Sequence, residues 1–123
     1  NLQAALGCAQ IERLDSIIKE RKRVHRTYTA LLQEVAGLRL QQFRTEVDPV
    51  LWALAVELDP AAYPQGRDQV IEQLAAEGIE TRNGAVLPIC ERLANHVISL
   101  PTFPSLDDGK IDYVSSKLAA LRQ

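Results

Sequence analysis

The sequence contains no methionine, a single tryptophan and only two cysteines. Cys8 and Cys90 lie in apolar surroundings with no CxxC and no Cys/His spacing around them. That excludes a disulfide framework or a zinc site and leaves two buried free thiols in a reducing compartment as the expectation. No charged segment leads into a short apolar core at the start, so no secretory signal is visible. The longest unbroken apolar run, Val50–Val56, is far too short to cross a bilayer. The chain therefore reads as soluble and cytoplasmic. There is no GxSxG, no HExxH, no glycine-rich phosphate loop and no cluster with metal-ligand spacing. The lysines are Lys19, Lys22, Lys110 and Lys117, all on polar helix faces or near a helix start. Schiff-base chemistry needs an amine whose pKa is lowered by burial or by a cationic neighbour, and none of these positions offers that. On its residues alone the chain does not read as a complete enzyme.

What is present is ordinary globular composition. With 123 residues, 46% apolar and 24% charged, the chain fits one domain spanning 1–123 with a real core. A net charge of −2 argues against a dedicated nucleic-acid binder. The basic run Lys19–Arg26 offers a phosphate or acidic-partner patch, but such runs are more often a solvated helix face. His25 lies in that face and reads as exposed.

The first third, Leu2 to Val35, carries apolar residues at helical spacing, with no proline and with Gly37 just beyond. Asn1 is a good capping residue for it. Such a rod would be roughly 50 Å long, against a radius of gyration near 13–14 Å for a domain of this size. Part of its apolar stripe must meet something outside the domain, another domain or a second subunit. Because Asn1 opens directly into helical sequence without an initiator methionine, a fragment, a processed product or a trimmed piece is expected.

Further along, Leu38–Phe43 alternates as a half-buried strand. Val50–Leu58, centred on Trp52 and Val56, reads as a central strand covered on both faces. The turn signal Asp59-Pro60 closes it, and a helix from Asp68 to Glu77 follows, with Val70, Ile71 and Leu74 inward and Gly78 as its stop. Ile79–Arg82 is a short third strand, and Asn83-Gly84 a tight turn. Ile89–Ser99 has helical spacing, with His96 on its surface. Leu100–Pro104 must be extended, and Phe103 between its two prolines should pack inward. A last helix opens at Ser105 or Asp107 and buries Ile111, Val114, Leu118 and Leu121. The expected fold is α+β: a long N-terminal helix and a small, three-stranded, mainly antiparallel sheet with helices packed on it.

Five stretches in order resemble one family. They are Asn1–Asp15, the strand around Trp52 ending in Asp59-Pro60, and Arg67-Asp68. The fourth and fifth are Glu77-Gly78-Ile79-Glu80-Thr81-Arg82 and Val97 to Leu106. Together they resemble the C-terminal small domain of DegT-type sugar-nucleotide aminotransferases, pyridoxal-phosphate enzymes of fold type I. The resemblance implies transfer of an amino group, typically from glutamate, to a keto-sugar nucleotide. It implies pyridoxal phosphate in the full-length enzyme and none for this chain alone. The Schiff-base lysine, the acidic partner of the pyridine nitrogen and most phosphate contacts would belong to a large domain not included here. The implied partners are that large domain, or a homodimer mate met through the Leu2–Val35 helix, and no membrane. Gln3 matches a family glutamine and reads as helix-start architecture. Arg82, with Asn83, falls where the substrate-facing segment begins, and a forked guanidinium suits a sugar-nucleotide phosphate. A family loop rich in aromatics, proline and histidine is represented here only by Asn83–Val86. The alternative reading is a non-catalytic dimerisation or docking module derived from the same family.

Overall fold

The computed structural model describes residues 1–83 and 96–122. The order is α1 (Leu2–Glu12), α2 (Leu14–Leu32), β1 (Leu38–Leu40), β2 (Leu54–Leu58), α3 (Gly66–Ala76), β3 (Arg82–Asn83), β4 (Val97–Leu100) and α4 (Asp108–Ala120). The fold is α+β with an antiparallel sheet, as expected, and the strands lie in the order β1-β2-β4-β3. The additional strand is β4, which helical spacing assigns to the end of a helix over 89–99. Pairing decides the matter. Val56 sits opposite Ile98 and Leu54 opposite Leu100, so two β-branched residues and two leucines complete a ladder instead of a helix face. Residues 89–95 of that expected helix, Cys90, and Gly84 of the expected turn lie outside the described residues.

The N-terminal rod is not continuous. Arg13 leaves helical geometry (φ −103°, ψ 2°) and separates α1 from α2. Asn1 caps α1 as expected, accepting from the Gln3 amide at 3.1 Å. The two halves behave differently. On α2, Val24, Tyr28 and Leu32 recur every four residues and are fully buried, facing α4 and the sheet. Truncating such a residue to alanine costs about 2–5 kcal/mol. On α1 nothing is buried: Leu2 is 77% and Ile11 71% exposed. Cys8, expected inside, is exposed for the same reason: its helix extends away from the core.

Gly37 has a positive φ (+86°), but α2 ends at Leu32 with Gln33 as its cap, short of the expected Val35, so the glycine turns the chain beyond the helix and does not cap it. Its carbonyl accepts from the Asp59 amide at 2.9 Å, which extends the β1–β2 pairing by one step and holds the end of β2 beside the start of β1. Asp59 in turn closes a side-chain turn on the Ala61 amide at 2.9 Å.

β2 is shorter than Val50–Leu58. Leu54, Val56 and Leu58 are buried while Ala55 and Glu57 are half-buried, so one face is core and the other is only partly covered. The Arg39–Glu57 ion pair (3.3 Å) spans that second face between β1 and β2. Trp52 lies before the strand and is 72% exposed. The reason is local. The Trp52 carbonyl accepts from Thr102 Oγ1 at 2.6 Å and from the Arg21 guanidinium at 3.5 Å, so it is unavailable to the ladder. β1 likewise stops at Leu40, and Phe43 packs edge-on against His25, ring centroids 6.2 Å apart.

α3 ends as its sequence indicates. Gly78 has φ +76°, its amide donates to Ala75, and the Ile79 amide reaches back to Leu74 at 2.9 Å. This clasp consumes the Ile79 amide and buries its side chain, so pairing begins at Arg82 and not at Ile79. α4 is capped by Asp107, which accepts from the Lys110 amide at 2.9 Å. It buries Ile111, Val114 and Leu118, with Leu121 packed at the margin. Phe103 is 48% exposed and not core. The extended segment after β4 keeps the strand's alternation: Ile98, Leu100 and Thr102 point inward, so Phe103 points out. His96 is half-buried ahead of β4, and its carbonyl accepts from the Leu58 amide at 2.6 Å.

Candidate functional site

The residues singled out by sequence, Arg82 and Asn83, form β3. They pair with Ser99 and Ile98 of β4, at the end of the strand order among the described residues. Arg82's partner Ser99 lines an open cleft of about 530 Å³. One wall of the cleft is the turn Gly78–Glu80 that leads toward β3, and the opposite wall is the extended chain from Ser99 to Phe103. Leu106 and Val114 form its buried floor.

Three aromatic side chains stand at this cleft: Trp52, Phe103 and Tyr113, the last 42% exposed. The backbone of the first and the side chain of the last are held by their neighbours. The Trp52 backbone is pinned by Thr102 and Arg21. The Tyr113 hydroxyl donates to Glu77 Oε2 at 2.9 Å, the same oxygen that Lys117 Nζ reaches at 2.9 Å. The Lys117 ammonium also lies 5.3 Å from the centre of the Tyr113 ring. These contacts have the expected electrostatic consequences. Hydrogen bonding from Lys117 and then Tyr113 holds the Glu77 carboxyl below its ordinary range. The same carboxylate pushes Lys117 up, and raises the Tyr113 phenol through the hydrogen bond it accepts. Sequence reasoning missed all three aromatics. For Phe103 the available signal was the register after β4, which sends alternate residues outward.

The basic run is largely turned onto the protein itself. Arg21 donates to the carbonyls of Leu51 and Trp52, and Lys22 pairs with Asp48. Arg23 joins Glu20, Asp108 and the Leu106 carbonyl. Its guanidinium is pushed up by the hydrogen bond to Glu20, with Asp108 adding to it. Three of the five cations of this run, expected on a solvated face, are thus half-buried and meet groups of this chain. His25 is half-buried beside Phe43, not exposed, and burial lowers its pKa.

The lysines bear on cofactor chemistry. Lys22, Lys110 and Lys117 are ion-paired with Asp48, Asp107 and Glu77, and Lys19 is exposed. Lys117 is raised, the opposite of what an imine-forming amine needs. The lysines of this chain do not fit covalent attachment of pyridoxal phosphate. Among the described residues no three His, Cys, Asp or Glu side chains are grouped to hold a metal ion. No described helix is long and apolar enough to cross a membrane.

Residues 1–84 match the profile of the DegT/DnrJ/EryC1/StrS aminotransferase family. Over 95% of its length the chain is 28% identical to a dTDP-4-dehydro-2,3,6-trideoxy-D-glucose 4-aminotransferase of Saccharopolyspora spinosa, covering 33% of that protein. Over its whole length it is 33% identical to a GDP-perosamine synthase of Caulobacter vibrioides, covering 36% of it. Among solved structures, DesI in the presence of its TDP-sugar product superposes with a TM-score of 0.83 at 29% identity, over 95% of this chain and 34% of that one. The apo-form of the sugar aminotransferase Spr1654 from Streptococcus pneumoniae shares the fold, with a TM-score of 0.84 at 20% identity over 96% of this chain and 34% of that one. The chain thus spans about a third of the length of the relatives it matches.

Proposed function

We propose a function from one premise: the chain belongs to the DegT/DnrJ/EryC1/StrS aminotransferase family. It is the C-terminal, lid-side part of a pyridoxal-phosphate aminotransferase that passes an amino group to a nucleotide-linked keto sugar, and it is inert alone. The cofactor supplies the amino-transfer chemistry when bound. The lysine that carries it belongs to a large domain, supplied in the same polypeptide or by a partner. One observation carries this reading: a family match with the family's fold, in a chain spanning a third of its relatives, whose own lysines are ion-paired or exposed. A cytoplasmic location goes with it.

In this reading Arg82 and Asn83 face the sugar nucleotide, the arginine as a forked donor to its phosphates. The Leu2–Val35 stretch provides the junction. α1 has a single charged residue, Glu12 at its end, and its leucines and isoleucine lie on more than one side. A helix whose only polar residues are Gln3, Gln10 and Glu12 belongs largely inside something, here the large domain or the mate of a homodimer.

The test adds pyridoxal phosphate and borohydride to the chain alone, then to the chain with a lysine-bearing large domain of the family. The expected result is no stoichiometric pyridoxyl-lysine on this chain, and amino transfer from glutamate only in the mixture. A stoichiometric adduct on Lys110 or Lys117 overturns the reading. The second reading, a non-catalytic docking module, draws on the same uncovered α1. A stable dimer by sedimentation, with no activity in the mixture, favours it.

A further inference from the structure

We propose that Tyr113 and Lys117 of α4 are positioning residues: through Glu77 they set the turn from which β3, and with it Arg82, enters the sheet. The inference rests on the function proposed above, in which Arg82 meets the sugar nucleotide, and adds the part of the fold that places it.

Glu77 has the wrong charge for its position. It caps the C-terminal end of α3, a helix with no basic side chain in its last turn. That end carries partial negative charge, which favours a cation and disfavours a carboxylate. The cation comes from α4 instead: Lys117 Nζ lies 2.9 Å from Glu77 Oε2. Tyr113, one turn earlier on the same face of α4, donates to that oxygen at 2.9 Å, and its hydroxyl also lies 3.4 Å from the Glu77 carbonyl. Both the side chain and the main chain of Glu77 are thus tied to a second helix. The Lys117 ammonium, 5.3 Å from the centre of the Tyr113 ring, joins the three groups into one unit.

The segment this unit holds has few other supports. β3 is two residues long and stands at the end of the strand order among the described residues, paired with β4. Between α3 and β3 one side chain is buried, Ile79, whose amide donates to the Leu74 carbonyl at 2.9 Å. One anchor fixes a point, and the chain can still turn about it. The clasp on Glu77, two residues earlier, supplies a second fixed point. Position and direction are then both set where the chain leaves for Arg82. Global stability is not what such a unit adds, because its side chains are solvent-accessible and exposed pairs contribute little to it. Contacts of that strength do bias a local opening.

Hydrogen exchange on the 123-residue chain compares the parent with Tyr113→Phe, Lys117→Gln and Lys117→Arg. Expected is exchange about two- to fivefold faster over residues 78–83 in Tyr113→Phe and Lys117→Gln, with residues 24–32 unchanged and Lys117→Arg close to the parent. In amino transfer with a lysine-bearing large domain, the first two variants raise KM for the keto-sugar nucleotide by a similar factor and leave kcat unchanged, a split that general loss of fold does not produce. Unchanged exchange over 78–83, an equal rise over 24–32, or an unchanged KM in an active mixture overturns the proposal. An inactive mixture with the parent chain sinks the function proposed above. In that case faster exchange over 78–83 still upholds the placing of β3 by the clasp, and unchanged exchange sinks both.

Discussion

Thr102 donates its hydroxyl to the carbonyl of Trp52 at 2.6 Å, tying the chain that leaves β4 to the chain that enters β2. Thr102 is buried, so the bond is shielded from water. Thr102→Val keeps the shape and removes the donor. It is expected to lower stability by about 1–2 kcal/mol, read as a fall in the urea midpoint. The freed loop should also lower Trp52 fluorescence anisotropy. An unchanged anisotropy would show that Arg21 alone fixes the loop.

Among the positive-φ glycines, Gly37 and Gly78 differ in what surrounds them. A Cβ on Gly37 would lie 2.3 Å from the Ala62 Cβ, whereas one on Gly78 meets nothing within 4 Å. Gly78→Ala should therefore carry only the left-handed backbone cost, about 1–2 kcal/mol. Gly37→Ala should add overpacking of about 1–3 kcal/mol. Equilibrium unfolding of both variants checks the order, and a Gly37→Ala loss no larger than that of Gly78→Ala contradicts the contact.

His25 gives the fold a pH dependence of defined sign. Burial lowers its pKa below the ordinary 6.5. The unfolded chain then binds the proton more readily, so this contribution to stability is complete above pH 6.5 and is lost as pH falls through the folded-state value. Thermal unfolding between pH 7.5 and 5 should show a decline on acidification that His25→Phe reduces.

The exposed apolar residues of α1 should matter for assembly and not for the body. Leu2→Gln, Leu6→Gln and Ile11→Gln combined should leave the urea midpoint of the chain within about 0.5 kcal/mol. They should abolish association with a lysine-bearing large domain, or self-association, as followed by sedimentation. Loss of stability instead would mean that α1 packs on its own core.

What the sequence disclosed was local chemistry. The cap at Asp107, the stop at Gly78 and the inward stripe of α4 each depend on neighbours within a turn, and each is where the pattern puts it. What it concealed was pairing. Val97–Leu100 carries helical spacing yet joins β2, because a partner strand 40 residues earlier decides its state. Trp52 looks like the centre of a strand yet is exposed, because its carbonyl is claimed by Thr102 and Arg21. The break at Arg13 has no local signal in glycine or proline. The candidate site divides in the same way. Arg82 and Asn83 came from resemblance, and the backbone places them next to Ser99 and Ile98. The cleft joins Arg21, Trp52, Glu80, Phe103 and Lys110, which no spacing rule connects.

With 11 residues and no buried side chain, α1 falls below the roughly 12–15 residues at which an isolated helix becomes even marginal in water. Its amide hydrogens should exchange with solvent far sooner than those around Tyr28, unless something encloses it. The deuterium uptake of residues 2–12 is thus a built-in gauge of occupancy: rapid labelling marks an arm standing alone, and slow labelling marks one whose counterpart has arrived.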